Sequence, residues 1–393
     1  MHIQSDVCII GDGAIGKVAA LGFAQAGLKV ALLSPVSHAA ASVAIEVWDA
    51  RVYAVNHVGH DLLSAVKVWE ALDATRVAAV DSMAVHGDAA GELAFDAYGA
   101  RVGALAWIVE DRNLNQALDA ALKFASNVRI VHGRATSLHA DEKAASVQLE
   151  NGDMLAAELL VGADGGQSWV RAQCEIDFDY RPYGQRAIVT NFACEKPHHG
   201  VAHQWFSATE GIIALLPLPG LRVSLVWSAP DALADILSQE TLTQLAARVT
   251  AWSTLQLGTL SPLQPEVVKS FPLSLMRPRA ITAPRVALIG DAAHVVHPLA
   301  GHGMNLGFSD VVGLIKVVAE RGAHRDCGDA RVLSSYARSR KEDVLLMQLA
   351  TDGLARLFGT EFEPLRMARN LGLNLVNKLP VLKRRLIGHA LGR

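Results

Sequence analysis

The chain has 393 residues, 51% of them hydrophobic, and its 36 basic and 39 acidic residues leave a formal net charge of −3. That length exceeds one ordinary core and predicts two interleaved domains, while no apolar run reaches the ~18 residues of a membrane-spanning helix. Four scattered cysteines (Cys8, Cys174, Cys194, Cys327) read as reduced thiols, no nucleic-acid motif stands out, and the early first strand leaves no room for a signal peptide, so a cytoplasmic protein without a nucleic-acid partner is expected.

Val7 to Ile10 is a short apolar run of buried-strand type,. It feeds into Gly11-Asp12-Gly13-Ala14-Ile15-Gly16, a GxGxxG loop, and then a predicted helix from Lys17 to Ala26 and a strand from Leu28 to Leu33. In this order Gly11 permits the tight turn and Gly13 lets the backbone approach a pyrophosphate. Gly16 lets helix pack on strand, and the helix N-terminus faces the anion. A dinucleotide contacted by Gly11, Gly13, Ala14, Ile15 and Gly16 is predicted. An acidic residue usually ends the second strand and binds a ribose hydroxyl. Ser34 stands there, followed by Pro35, and a serine binds a hydroxyl without charge assistance,. The loop alone does not separate FAD from a nicotinamide cofactor.

Further along, Ala145 to Glu150 and Leu155 to Val161 predict a hairpin about Asn151-Gly152,. The second arm runs into Gly162-Ala163-Asp164-Gly165-Gly166, by itself no more than a turn. From Tyr183 to Pro272 strand-like runs alternate with turns, among them Gly211 to Leu216 and Leu221 to Trp227. Arg285 to Ile289 reads as a strand ending at Gly290-Asp291, whose carboxylate suits a polyol hydroxyl. Gly301, Gly303 and Asn305 then open a helix from about Met304 to Arg321, with free amides at its start,. Two cofactor signatures so far apart point to one long ligand held at both ends, most simply FAD. His294 and His297 have metal-like spacing but no third ligand, so no metal site is expected.

These motifs occur in the order and at the spacing of a known family. Gly11/Gly13/Gly16, then Gly162 to Gly166 with Ser168 and Arg171, then Gly290-Asp291 to Asn305, resemble a class A flavoprotein monooxygenase, and within that class the ubiquinone-biosynthesis hydroxylases. The likeness covers nearly the whole chain, including Phe362 to Arg366 and Arg369 to Leu373. It implies an α/β fold: a Rossmann-like FAD-binding domain of the GR2, para-hydroxybenzoate-hydroxylase-like type, interleaved with an antiparallel-sheet substrate domain and followed by a helical C-terminus. The expected division is 1–73, 105–175 and 272–330 for the FAD domain, 74–104 and 176–271 for the substrate domain, and 331–393 for the helical region. The resemblance implies that Asp164 and Gly165 serve both FAD and NADPH, that Arg51 and Arg112 lie in the cofactor cleft, and that Pro298, Gly301, Gly303, Met304 and Asn305 follow Gly290-Asp291 along the flavin. Asp111 and His302 stand where the family usually has asparagine and glutamine.

The implied chemistry is reduction of FAD by NADPH or NADH, addition of O2, and hydroxylation of a prenylated aromatic ring through a flavin hydroperoxide. No second GxGxxG loop is present, which agrees with a reductant that visits only transiently. No side chain declares itself a catalytic base. A hydroxylase of another aromatic, a halogenase (whose Trp-x-Trp-x-Ile signature is absent) and a flavoprotein scaffold of a quinone-biosynthesis complex remain open. From Pro364 to Arg393 there are seven basic and no acidic residues, so the remainder of the chain carries −10. This segment reads either as a packed helix with a solvated basic face or as a surface for anionic lipid or an acidic partner, peripheral to the inner membrane. Oligomeric state is open.

Overall fold

The computed structural model describes residues 2–35, 47–89, 91–263, 266–297, 302–358, 364, 369–371, 375 and 377. The chain opens with β1 (His2–Ile10), α1 (Ala14–Gln25) and β2 (Val30–Ser34), then β3 (Val52–Val55), α2 (His57–Ala65) and β4 (Val77–Val80). Next come β5 (Ser82–His86), β6 (Glu92–Asp96), the single turn α3 (Ala97–Ala100), β7 (Ala106–Glu110) and α4 (Asp111–Phe124). β8 (Val128–His132), β9 (Ala135–Ala140), β10 (Ala145–Leu149), β11 (Met154–Gly162) and α5 (Trp169–Gln173) lead into β12 (Phe178–Cys194), β13 (Val201–Ser207), β14 (Gly211–Leu218) and β15 (Arg222–Pro230). The chain continues through α6 (Asp231–Gln239), α7 (Leu242–Leu257), β16 (Leu260–Pro262), β17 (Lys269–Pro278), β18 (Thr282–Ala283), β19 (Val286–Leu288), α8 (His302–Ala319) and α9 (Ala330–Phe358).

The first sheet runs β18-β19-β11-β1-β2-β8, and every pairing along it but β18–β19 is parallel. At their carboxyl-terminal halves, β1, β2, β11 and β19 are buried on both faces. Val7 and Ile9 join Val30, Leu32, Leu159 and Val161 in one core under α1, α4 and α8, while Cys8 and Ile10 join Ala31, Leu33 and Leu160 in the other. Double burial explains why Val7 to Ile10 of β1 reads as an unbroken apolar run, while the half before it alternates,. The predicted hairpin is present: β10 pairs antiparallel with β11, and Gly152 adopts φ +83° in the connection.

The second sheet runs β16-β12-β15-β14-β13-β5-β6, with β17 also on β12. It is antiparallel apart from the β13–β5 pair, which is parallel. One face carries Ile188, Phe192, Ile213, Leu215, Leu225 and Trp227 against α6 and α7. α7 starts at a reciprocal cap between Thr241 and Gln244 and stops at Gly258, φ +69°. The alternate residues on the other face pack against the segment before β3 and the strands β4 and β7: Ala187 and Val189 reach Ala50, and Ala202 reaches Val80 and Ile108.

Two segments lie elsewhere than the expected division puts them. Within 74–104, Ser82 to Asp96 enters the second sheet, but Val77–Val80 pairs with the free edge of β7 in a small β3-β7-β4 sheet. Lys269–Pro278 still pairs with β12 from Phe178 to Val189, so the chain re-enters the first sheet only at Thr282. Both strands find edge partners that local pattern does not specify.

Candidate cofactor and active site

β2, β1, β11 and β19 are neighbours and parallel, so their carboxyl ends line one edge of the first sheet. That edge is where open α/β sheets place ligands. The glycine loop follows β1, Ala163 to Gly166 follows β11, and Gly290-Asp291 follows β19. The three loops are locked together by backbone. Ala163 N–H donates to Ile10 O (2.8 Å), and Ile289 N–H donates to Gly162 O (3.0 Å).

Close approach explains the small residues. Gly11 has φ +114°, and a Cβ there would lie 2.3 Å from Ala163 O; a Cβ on Gly16 would lie 1.9 Å from Gly11 O. A Cβ on Gly307 would meet Ile15 Cδ1 at 2.7 Å, so α8 closes directly onto the start of α1. Gly13, Gly165 and Gly303 are different: a Cβ on any of them meets nothing within 4 Å. Their backbone faces open space. Gly13 is also the N-cap of α1, and no side chain satisfies the amides of that helix's first turn. Uncapped amides at a helix start suit an anion.

The polar groups around this edge fit a dinucleotide. Asp291 is exposed in the single turn Gly290–Ala292 that follows β19. Loss of hydration raises its carboxyl above the usual range, against the pull of His294 and Arg51. Asp164 caps α5 by accepting from Val170 N (3.0 Å) through Oδ2, while its Oδ1 is buried without a partner among the described residues. Arg171, 4% exposed, ties two of the loops by donating to Ala292 O (3.0 Å) and Gly166 O (2.8 Å). The Arg51 guanidinium lies over Tyr53, 5.4 Å from its ring centroid, beside Phe271. Arg112 donates to Val47 O, and Asp111 accepts from Tyr53 Oη (2.7 Å) and Asn115 Nδ2 (3.0 Å). Met304 packs against the first core.

The Asn305 side chain holds α8 in place. Its Nδ2 donates to Ala54 O (2.7 Å) and its Oδ1 accepts from Asn56 N (3.0 Å), clamping α8 to β3. Pro298 and Gly301 lie outside the described residues, as does most of the basic C-terminal segment.

The two histidines have opposite chemistry. His294, 2% exposed, lies 2.6 Å from Asp310 through Nε2. Burial disfavours its proton, yet Asp310 overrides this and holds the imidazole above its ordinary range. His297 contacts Gln185 Oε1 (3.0 Å), and burial pushes it down to about 4, so it is neutral at pH 7. They point to different partners, and among the described residues no three His, Cys, Asp or Glu side chains gather to hold a metal.

Several groups here escape sequence reasoning. Asp310 on α8 accepts from Gly290 N (2.9 Å) and from Arg340 Nε (2.8 Å) on α9. A lone acid between Phe308 and Val311 on an apolar helix was the signal available for it. Asn191 on β12 donates to Asp49 O (2.8 Å), tying the second sheet to the segment bearing Arg51. Gln204 is likewise buried on β13, on the same side of the sheet as Ala202. Both lie on the mainly apolar face of the second sheet that carries Ala187, Val189 and Ala202.

The FAD binding domain family matches residues 4–347. The chain is 33% identical to the 3-demethoxyubiquinol 3-hydroxylase of Escherichia coli (strain K12), covering 99% of this chain and 98% of that one. It is also 33% identical to ubiquinone hydroxylase UbiL of Rhodospirillum rubrum, over 99% of this chain and 90% of that one. Among solved structures, p-nitrophenol 4-monooxygenase PnpA from Pseudomonas putida superposes with a TM-score of 0.76 at 17% identity, covering 99% of this chain and 98% of that one. The fold is that of the para-hydroxybenzoate-hydroxylase type. The chain belongs to the FAD-binding-domain family and, within it, to the ubiquinone-biosynthesis hydroxylases.

Proposed function

We propose, from membership of that family, that this protein uses FAD, NADPH or NADH, and O2 to hydroxylate the aromatic ring of a polyprenylated phenol in ubiquinone biosynthesis. The observation that carries this reading is the full-length match to two ubiquinone hydroxylases, in a chain whose open-faced glycines Gly13 and Gly165 lie in loops at one sheet edge. FAD, when bound, supplies the electron transfer and the oxygen chemistry.

The chain's own residues bind, orient and exclude water. The backbone at Gly11, Gly13, Ala14 and Ile15, with the first-turn amides of α1, holds the pyrophosphate, and Gly16 keeps that turn closed. Asp291 takes a polyol hydroxyl, while Gly290, Gly303, Met304 and the Asn305 backbone flank the flavin, with Pro298 and Gly301 between them in sequence. Asp164 and Gly165 serve FAD and the visiting nicotinamide. Arg51 and Arg112 border the cleft, Arg51 held over Tyr53. The second sheet's inner face, with Asn191 and Gln204, receives the ring, and neutral His297 adds no charge to a site that must stay dry,.

The purified protein is expected to be yellow and to oxidise NADPH faster with a short-chain prenylated phenol, giving a product heavier by one oxygen atom. A colourless protein that takes up no added FAD would instead favour the scaffold role within a quinone-biosynthesis complex.

No helix among the described residues is long and apolar enough to cross a membrane. The substrate proposed here is nevertheless lipid-bound, and residues 364–393 carry seven basic and no acidic side chains. We therefore propose a peripheral membrane contact through this segment. Flotation with anionic liposomes is expected to fall when residues 364–393 are deleted, and unchanged flotation would sink the idea.

A further inference from the structure

The residue that ends β2 lacks the carboxylate that usually holds the adenosine ribose, yet a carboxylate is present at that point in space. Ser34 is 5% exposed, and its Oγ donates to Asp12 Oδ2 at 2.5 Å and approaches Pro35 O at 3.2 Å. Asp12 is the second residue of the glycine loop, partly exposed, and among the described residues no cation pairs with it. We infer that Asp12 is the ribose-recognising acid of this protein: the carboxylate is rooted in the glycine loop, and Ser34 orients it.

The geometry favours this reading over a loop-bracing role. An acid rooted at position 34 reaches from the strand end toward the glycine loop. Here the loop reaches its carboxylate to the strand end, so the charge occupies the same corner from the opposite side. Ser34 Oγ occupies one oxygen. The other makes no hydrogen bond among the described residues and is free to accept from a vicinal diol. A carboxylate accepting from a ribose hydroxyl makes a charge-assisted bond, which a serine at this point cannot. Bracing alone would be served by a neutral acceptor, whereas an acid next to a pyrophosphate-binding loop carries an electrostatic cost that a ribose contact offsets. The same charge repels a 2′-phosphate, so this corner accepts an FAD-type adenosine and rejects an NADPH-type one.

The inference rests on the FAD site proposed above, and its test reads binding rather than turnover. Apo-protein is titrated with FAD and with FAD whose adenosine carries 2′-deoxyribose, following flavin fluorescence. Wild-type protein is expected to bind FAD about tenfold more tightly than the deoxy analogue, the size of one hydrogen bond to a charged group. Asp12→Asn should weaken FAD by a similar factor, leave the analogue nearly unchanged and so collapse the preference. The double variant Asp12→Gly, Ser34→Glu should restore it by returning the acid to the strand end. Equal weakening of both ligands by Asp12→Asn, or no preference in the wild-type protein, overturns the assignment. Wild-type protein that takes up neither dinucleotide overturns the flavoprotein reading itself, and this inference with it.

Discussion

Gly16→Ala and Gly13→Ala are expected to fail in different ways, although they lie three residues apart in one loop. At Gly16 the added methyl would sit 1.9 Å from Gly11 O, and Gly11 is itself pressed against Ala163 O. Every atom in that path is backbone, so no side chain can turn aside. Either the turn opens or α1 moves off β1, at a cost of about 1–3 kcal/mol of overpacking strain. The displaced α1 amides no longer point at the pyrophosphate, and losing one or two bonds to a charged group weakens FAD by roughly ten- to a thousandfold. Gly13 has φ −66° and open space where a methyl would project. Alanine is conformationally acceptable there, so the apo-protein should melt as the wild type does. FAD binding should still fall, because the proposed site puts the pyrophosphate in that space. Thermal melts of both apo-proteins beside flavin titrations separate the two effects. A Gly13→Ala protein that binds FAD like the wild type would mean that the ligand does not pass this point.

The contrast shows which parts of the site were legible from the chain. The β1–α1–β2 unit is contiguous, and glycines at a backbone crossing are a local requirement, so spacing alone announced them. The strand before Gly290-Asp291 was equally plain, though it spans only Val286–Leu288 because Arg285 sits at φ +57°. Helix starts were read late: α1 begins at Ala14 and α8 at His302. Glycines inside the motif were read as loop, although they begin the helices whose amides the motif presents. Pairings over long sequence distance were not legible. Nothing near Asn305 says that its carboxamide meets Ala54 and Asn56. Nor does the Ser34-Pro35 dipeptide say that Asp12 turns toward it. Both contacts depend on how the sheet and helices close, which no local pattern encodes.

Asp310→Ala is expected to be the most destabilising single change near the site. Asp310 is fully buried and accepts from Gly290 N, His294 Nε2 and Arg340 Nε. Truncating it strands two buried cations and one backbone amide, and breaking a buried ion pair from one side costs about 3–5 kcal/mol. It also frees the turn carrying Asp291, so flavin affinity should fall with stability. Asp310→Asn keeps one acceptor oxygen, enough for Gly290, but removes the charge and turns a donor toward Arg340, and here the pH dependence becomes diagnostic. In the wild-type protein His294 is held above its ordinary value of 6.5, so its contribution to stability is fully present below that value and is lost as pH rises through the folded-state value,. Without Asp310 the order reverses: burial and the Arg340 charge outweigh the smaller pull of Asp291 and keep His294 neutral, so the variant loses stability as pH falls below 6.5,. The penalty of Asp310→Asn should therefore be largest in mild acid and shrink toward alkaline pH. It should not vanish, because Arg340 stays charged throughout. Denaturant unfolding of both proteins from pH 5.5 to 8.5 would read this slope, and His294→Gln in the Asp310→Asn background should flatten it. A penalty independent of pH would mean that His294 carries no proton in the native fold.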